Sequence, residues 1–250
     1  MGLSRFLEIW PGVLAHASGA LWLEHSKSLV VADLHLGYGW AQRRRGELGP
    51  LVDSETQLKI SRVLDEVNAS TILLAGDIVH AAKPGEEEAS FVREVLTGLQ
   101  RRAQVIGIRG NHDRRFAEDF GDLQIGLVEQ WREGDLLVTH GDRLPSSLPV
   151  GRLAIGHLHP AIGLEDAAGV KQRLPAFLLA GPVVVLPAFS PFAAGIDVWR
   201  SMPVEIEALG GGAPPEVIVA TGNRVVKLGR LSRLVSPARG SRPRDYRGSK

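Results

Sequence analysis

The first half of the chain alternates short apolar runs with segments of helical periodicity, and this alternation limits the fold more than any other feature. The runs at 29–32, 71–75 and 104–108 are short and rich in aliphatic residues, as expected of buried strands. Between them, apolar residues follow i, i+3, i+4, i+7 spacing within Ser54–Val67 and again within Val92–Leu99. Strands separated by such helices predict parallel β-strands with crossover helices.

Beyond about Gly121 the pattern changes to strands with little helix between them. The sequence predicts strands at Leu136–Thr139, Leu153–Ile155, Phe177–Leu179, Val183–Leu186 and Ile196–Trp199, a hairpin of 216–220 with 224–228, and early strands at 13–15 and 21–23. Two packed sheets with helices outside would accommodate both halves. The expected fold class is therefore α/β.

Five of the predicted strands end in a polar cluster at the point where the chain should turn. The clusters are Asp33-Leu34-His35, Gly76-Asp77, Gly110-Asn111-His112-Asp113, His140-Gly141-Asp142 and Gly156-His157-Leu158-His159. Ligand sites in open α/β sheets form beyond the carboxyl ends of the strands, so we expect these clusters to converge. One such cluster alone would more often be a turn or a helix cap, but five in order at successive strand ends predict one site.

The side chains in these clusters suit divalent cations. Imidazole combined with carboxylate favours manganese, iron or zinc over magnesium or calcium, and manganese is the metal we expect. Three Asp or Asn oxygens and four imidazoles exceed what one ion with an open position needs, so the clusters predict two ions bridged by a carboxylate. The chain has no cysteine, which excludes thiolate ligands, disulfides and a cysteine nucleophile.

The order of the five clusters resembles the calcineurin-like metallophosphoesterase superfamily over residues 33–159. The resemblance implies the metallo-dependent phosphatase fold, a four-layer α/β/β/α sandwich of two mixed β-sheets flanked by helices. It also implies one metal held by four residues, namely Asp33, His35, Asp77 and His159. Asp77 would bridge to a second metal, whose other ligands are Asn111, His140 and His157.

The expected chemistry is in-line attack on a phosphate ester by a metal-bridging hydroxide. His112 is the side chain best placed to protonate or stabilise the leaving oxygen. Asp113 either orients that imidazole or caps the next helix. His80 lies in Gly-Asp-Ile-Val-His, which is similar to a motif of double-strand-break repair nucleases, and it either steers the scissile phosphate or packs at a helix start.

A narrower resemblance, over about residues 20–200, is to the ligase-associated DNA-damage-response phosphoesterases, small bacterial end-processing endonucleases. It rests on Val31–Gly37 with the basic run after it, and on 173–177 and 185–189. Tyr38 and Ala176 depart from it, since they stand where a Lys and a Cys are expected. It implies a DNA substrate and DNA-repair ligase or helicase partners. The residues expected to contact substrate phosphates, or otherwise to form a solvated face, are Arg43, Arg44 and Arg45 in the loop after the first cluster, and Arg114.

Charge is unevenly distributed along the chain. Gly229 to Lys250 carries a net charge of +6, so the remainder carries −5. We expect a metallophosphoesterase domain at 1–230 and a basic, disordered tail at 231–250, which either contacts a polyanion or is merely solvated. The apolar stretch 176–199 is broken by Pro and Gly, and the N-terminus has no apolar core of a signal peptide, so we expect no membrane contact and a cytoplasmic location.

Three functions are compatible with this pattern. The leading hypothesis is a DNA phosphodiesterase or endonuclease acting in repair. A phosphatase or phosphodiesterase of small nucleotides would use the same metals. A non-catalytic scaffold of this fold would be expected to lose ligands or His112, and none is missing from the sequence. The oligomeric state is left open.

Overall fold

The computed structural model describes residues 4–234 except 48–52, 146, 149–150, 166–168, 170, 194, 200–203 and 213. Its strands are β1 Phe6–Trp10, β2 Val13–His16, β3 Leu21–Leu23, β4 Ser28–Val31, β5 Thr71–Ala75, β6 Gln104–Ile108, β7 Leu127–Val128, β8 Trp131–Glu133, β9 Leu136–Thr139, β10 Arg152–Ile155, β11 Ala161–Glu165, β12 Lys171–Ala180, β13 Val183–Val185, β14 Glu216–Ala220 and β15 Val225–Arg230. The helices are α1 Tyr38–Arg44, α2 Asp53–Glu66, α3 Glu86–Gln100, α4 Phe116–Phe120 and α5 Val204–Leu209.

The first sheet contains the first seven strands in chain order. Strands β1 to β4 pair antiparallel, and β4 to β7 pair parallel, with α2 and α3 as the crossovers that the periodicity predicted. Because side chains alternate along a strand, Leu29 and Val31 pack beneath the helices. Val30 and Ala32 face the other way, toward the second sheet. The polar residues Asp33 and His35 follow at the carboxyl end of β4.

The second sheet has the order β15-β14-β12-β13-β10-β9-β8, with β11 beside β12. Strands β9, β10 and β13 are parallel and the other neighbours antiparallel. One apolar cluster fills the space between the sheets, and another packs α5 and β11 on the outer face of the second sheet. The two mixed sheets flanked by helices confirm the predicted α/β sandwich.

Two sequence predictions of local structure are wrong. Ile196–Trp199 is not a strand: Asp197 makes a single bridge to Ala161, and Val198 is buried on the outer face of the second sheet. Arg43 and Arg44 are not in a loop but in the last turn of α1. That short helix has no side-chain cap and starts after Gly37 in the left-handed region, so its sequence carries no usual start signal.

The first residues of the predicted C-terminal tail are among the described residues. Leu231–Arg233 forms a single 3₁₀ turn that follows β15. Residues 235–250, which hold most of the basic charge, lie outside the described residues. None of the helices in the described part of the chain has both the length and the apolar character that a bilayer-spanning segment requires.

Candidate metal centre

The five polar clusters meet where the ends of the two sheets face each other. Strands β4, β5 and β6 of the first sheet lead into one set of candidate ligands, namely Asp33, His35, Asp77 and Asn111. Strands β9 and β10 of the second sheet lead into the other set, namely His140, His157 and His159. Residues more than a hundred positions apart in the sequence therefore surround one site.

The potential ligand atoms form two groups that share Asp77. Within each group these atoms lie within 4.8 Å of one another; the groups are Asp33, His35, Asp77 and His159, and Asp77, His140 and His157. The amide oxygen of Asn111 lies 3.1 Å from His140 Nε2 and so joins the second group. The structure thus brings all seven predicted ligands together in the predicted division, with one carboxylate common to both groups.

The buried charge at this site fits a pair of cations. Asp33 and Asp77 are 0% and 3% exposed, and their ion-pair contacts within the described residues are with histidines. Removing a carboxylate from water without a cationic partner is strongly unfavourable. Asp33 Oδ1 and His35 Nδ1 are also buried without a hydrogen-bond partner in the described part of the chain. Divalent cations would supply the charge that both carboxylates need.

Burial favours the neutral, metal-binding form of two of the imidazoles. Burial, reinforced by the neighbouring histidines, lowers the pKa of His35 to about 2. Burial also lowers the pKa of His157. Since a ligating histidine must be neutral, these environments favour coordination at neutral pH.

The backbone at the site is held in an uncommon conformation. Five candidate ligands have φ in the left-handed region, with values of 55°, 45°, 47°, 65° and 46° for Asp33, His35, Asp77, His157 and His159. This conformation costs of order 1 kcal/mol or more for a residue with a Cβ, and such residues cluster at functional sites. The sequence carries little sign of this feature, since Asp and His merely tolerate positive φ better than most residues.

Two glycines allow the loops to touch. A Cβ on Gly76, whose φ is +82°, would lie 2.1 Å from His140 Nδ1. A Cβ on Gly110 would lie 2.2 Å from the backbone nitrogen of Asp77. At Gly110, whose φ lies outside the left-handed region, glycine is needed for close approach rather than for a left-handed turn.

Backbone hydrogen bonds orient the candidate ligands. The His157 N–H donates to Asp33 Oδ2 at 2.9 Å, which joins the second sheet to the first. His140 Nδ1 lies 3.3 Å from the carbonyl of Ala75. A carbonyl only accepts, so Nδ1 carries the proton and Nε2 is left for a metal.

His112 and His80 lie beside the first ligand group. Their ring nitrogens and one of His35 lie within 4.8 Å of one another. His112 Nδ1 donates to the His80 carbonyl at 2.8 Å, which leaves Nε2 for a substrate. Burial first, and then the charge of His112, lower the pKa of His80 to about 4. His80 is therefore a neutral group at pH 7.

Asp113 matches neither of the roles expected for it. Its buried carboxylate accepts hydrogen bonds from the backbone N–H groups of Ile78, Val79 and Gly110, at 2.9, 3.2 and 2.9 Å. It therefore does not orient the His112 imidazole, which is held by His80. Helix α4 is preceded by Arg115, so Asp113 is not its cap either. Its bonds hold the loop after β5 against the loop after β6.

The predicted phosphate-binding arginines differ in their contacts. Arg43 stacks over the ring of Trp40 at 4.4 Å, and Arg44 pairs with the buried carboxylate of Glu88 at 2.9 Å. Arg45 is exposed and close enough to His80 to affect its pKa after burial and His112. Arg114 lines a cavity of about 310 Å³ that also contacts Asn111. Arg44 acts on His80 in the same direction but more weakly, so Arg44, Arg45 and Arg114 lie near the site while Arg43 is held against Trp40.

A second cavity adjoins the site and was not foreseen. It has a volume of about 340 Å³, and His159, Lys59 and Phe192 are among its lining residues. The ring of Tyr38 lies near Phe192 on one side and 4.8 Å from the His80 ring on the other. Helix periodicity gave Lys59 no role, because the loop that it contacts comes from a distant part of the sequence.

Comparison with known proteins identifies the family and the fold. A family model described as calcineurin-like phosphoesterase matches residues 26–172, which include all seven candidate ligands. A solved structure described as nuclease MPE from Pseudomonas putida is 23% identical, with 86% of this chain and 94% of that chain covered at a TM-score of 0.65. Another, described as Yfce, a phosphoesterase from E. coli, is 15% identical, with 81% and 98% covered at a TM-score of 0.42. Comparison with curated proteins finds no match. The first of the two structures supports the fold.

Proposed function

The chain belongs to the calcineurin-like phosphoesterase family, and from that premise we propose that it is a two-metal phosphodiesterase that cleaves DNA during repair. Hydrolysis of phosphate esters is the activity of the family. The observation that carries the two-metal proposal is the pair of ligand groups that share the carboxylate of Asp77. A shared carboxylate is what a two-ion centre requires, because it bridges the ions and holds them at a fixed separation.

We assign the ligands as the geometry groups them. Asp33, His35, Asp77 and His159 would hold one ion, and Asp77, Asn111, His140 and His157 the other. Mixed nitrogen and oxygen donors favour manganese, and iron or zinc also suit them. Such ions, when bound, lower the pKa of a coordinated water and offset negative charge on a phosphate.

His112 is proposed as the acid that serves the leaving oxygen. Its Nδ1 is fixed by the His80 carbonyl, so the ring presents Nε2 beside the ligand groups. A proton held at Nε2 would pass to the oxygen that departs from phosphorus. The His80 ring lies nearly parallel to it, with centroids 5.7 Å apart, and would help to position the phosphate. Asp113 would act through the backbone, by keeping the two loops together.

The chain's own cations support a DNA substrate. Arg45 lies near His80, and Arg114 lines the cavity that contacts Asn111, together with Arg109 and Arg143, which pair with Glu129 and Asp142. Cationic side chains around a phosphate site suit a substrate that carries more than one phosphate. The repair role, a ligase or helicase partner and a cytoplasmic location belong to this proposal and are supported by the resemblance to DNA-damage-response phosphoesterases.

A small nucleotide is the second candidate substrate. The observation that favours it is the size of the cavities at the site, about 310 and 340 Å³, which lies at the low end for small-molecule pockets. A non-catalytic scaffold is disfavoured, because all seven candidate ligands and His112 are assembled in one place.

The decisive experiment is a substrate panel with one variant and one control. Chelated protein supplied with Mn²⁺ is assayed on plasmid DNA, a single-stranded oligonucleotide, bis-para-nitrophenyl phosphate and nucleoside monophosphates. His112→Ala should lower kcat on the oligonucleotide about 10²- to 10⁴-fold while metal content stays near two ions per chain. His25→Ala, at an exposed histidine outside the site, should leave both unchanged. Activity confined to monophosphates would reject the DNA substrate.

A further inference from the structure

A repeated motif has no role in the mechanism above. Leu-Pro-Ala-Phe occurs at 174–177 and again at 186–189. In both copies the Phe is fully buried, while Pro175 and Pro187 line the cavity of about 340 Å³. The first copy lies in β12 and the second follows the neighbouring strand β13, so two adjacent segments each supply a proline to one cavity.

This cavity is continuous with the metal centre. His159 is one of its lining residues. The segment that carries its wall is bonded to the first cluster, since the Ser190 N–H donates to the Asp33 carbonyl at 3.2 Å. On the other side, Gly195 packs against His159 so closely that a Cβ there would lie 1.5 Å from the His159 carbonyl oxygen. A group that occupies the cavity therefore lies next to the candidate ligands of the first ion.

The lining combines apolar surface with two cations. Prolines and Phe192 provide flat apolar contacts, and Lys59 and Arg173 provide charge. Lys59 Nζ donates to the Phe189 carbonyl at 2.8 Å, and the Arg173 guanidinium donates to the carbonyl of Gly195. Burial lowers the pKa of Lys59 to about 8, so the side chain still carries charge at pH 7. These bonds hold Lys59 within the cavity and the exposed Arg173 at its rim.

An aromatic face, apolar walls and fixed cations match one kind of ligand. A nucleotide presents a flat base and a negatively charged phosphate, and bases stack on aromatic side chains irrespective of sequence. The volume is at the lower limit of small-molecule sites and suits a single nucleoside unit.

We propose that this cavity binds the nucleotide that flanks the scissile phosphate, with its base against Phe192 and the prolines and its phosphate near Lys59 and Arg173. The proposal rests on the proposed phosphodiesterase function, which it deepens by adding a binding subsite. It separates two classes of phosphodiester. A nucleic acid gains contacts in the cavity, whereas a small diester such as bis-para-nitrophenyl phosphate reaches only the metal centre.

The test compares these substrates in Phe192→Ala. Loss of one stacking contact should raise KM for a short oligonucleotide about tenfold with kcat little changed. The kcat/KM for bis-para-nitrophenyl phosphate should change less than about twofold, because this small diester makes no stacking contact in the cavity. Equal losses on both substrates would show that Phe192 only supports the metal centre, and unchanged KM for the oligonucleotide would show that no base binds there. Either result overturns the proposal.

A charge variant and a binding measurement make the test independent of turnover. Arg173→Gln should weaken calorimetric binding of thymidine 5′-monophosphate to the full chain with Mn²⁺, whereas Arg132→Gln, at an exposed strand position in the second sheet, should not. Binding equal in both variants contradicts the subsite. If the wild-type chain binds the nucleotide but cleaves no phosphodiester, the proposed function fails and the subsite survives. If the wild-type chain cleaves phosphodiesters but does not bind the nucleotide, the proposed function survives and the subsite fails.

Discussion

Gly110→Ala is the substitution whose effect the structure defines best. The added Cβ would lie 2.2 Å from Asp77 N and 2.4 Å from Asp77 Oδ1, about 1 Å inside ordinary contact. Both neighbours belong to the loop that carries the shared carboxylate, and that loop is fixed by the Asp113 hydrogen bonds. The methyl group therefore cannot be accommodated by a side-chain rotation, and the loops after β5 and β6 must separate.

The separation should affect function more than folding. Overpacking of one methyl group costs about 1–3 kcal/mol. Metal ligation tolerates shifts of only about 0.2 Å, and a displacement of 1 Å at a catalytic centre can cost about 10²-fold in rate. We expect Gly110→Ala to remain folded, to bind fewer than two Mn²⁺ ions per chain, and to lose about 10²-fold in kcat/KM on bis-para-nitrophenyl phosphate.

The assay needs metal analysis, steady-state kinetics and thermal unfolding on the same preparations. Gly98→Ala is the matched control, because Gly98 lies inside α3 with nothing within 4 Å of the added methyl. It should raise stability by about 0.5–1 kcal/mol and leave activity unchanged. If Gly110→Ala retained two ions and full activity, the close approach of the two loops would not be a requirement of the site.

Three further predictions concern stability. Lys59→Met should raise the free energy of unfolding by about 1–2 kcal/mol at pH 7. Burial holds the pKa of Lys59 near 8 in the folded chain, below its unfolded value, so the charged side chain destabilises the fold; the lost bond to Phe189 offsets part of the gain from removing it. The stability of the wild type should rise from pH 8 toward 10.5 as Lys59 loses its proton. Urea unfolding should therefore show a smaller difference in stability between Lys59→Met and the wild type at pH 9.5 than at pH 7. Arg44→Met should lower the free energy of unfolding by about 1–2 kcal/mol in the same assay, because the buried Glu88 carboxylate loses its ion pair with Arg44. Arg43→Met, which removes only the contact with Trp40, should cost less, and equal costs would contradict this. Saturating Mn²⁺ should raise the Tm of chelated protein by about 5–10 °C, and by less in Asn111→Ala; an equal rise would remove Asn111 from the ligands.

The sequence predicted the elements whose pattern is local. Aliphatic runs such as 71–75 become strands because they are buried on both faces, and the spacing from Val92 to Leu99 becomes α3 because one face packs on the first sheet. The site was also predictable, since its ligands follow directly on those strands. Helix α1 was not, because it has no side-chain cap and its last turn pairs with Glu88, a residue far away in the sequence.

Features decided by tertiary contact were beyond sequence reasoning. The apolar residues of 196–199 alternate as a strand would, yet this segment forms a single bridge. The hydrogen bonds of Asp113 could not be predicted from its position beside His112. Its partners are backbone N–H groups, and two of them lie more than thirty residues away in the sequence. The positive φ values of the candidate ligands likewise follow from how the loops pack together.

The division of the candidate ligands between the two sheets has a consequence for how the protein could be taken apart. A break in the connection between β7 and β8 would leave Asp33, His35, Asp77 and Asn111 on one fragment and the three histidines on the other. Neither fragment alone could complete the coordination of both ions. The two halves should therefore associate more tightly with Mn²⁺ than with a chelator. The cations would then stabilise the association of the two sheets as well as serve hydrolysis.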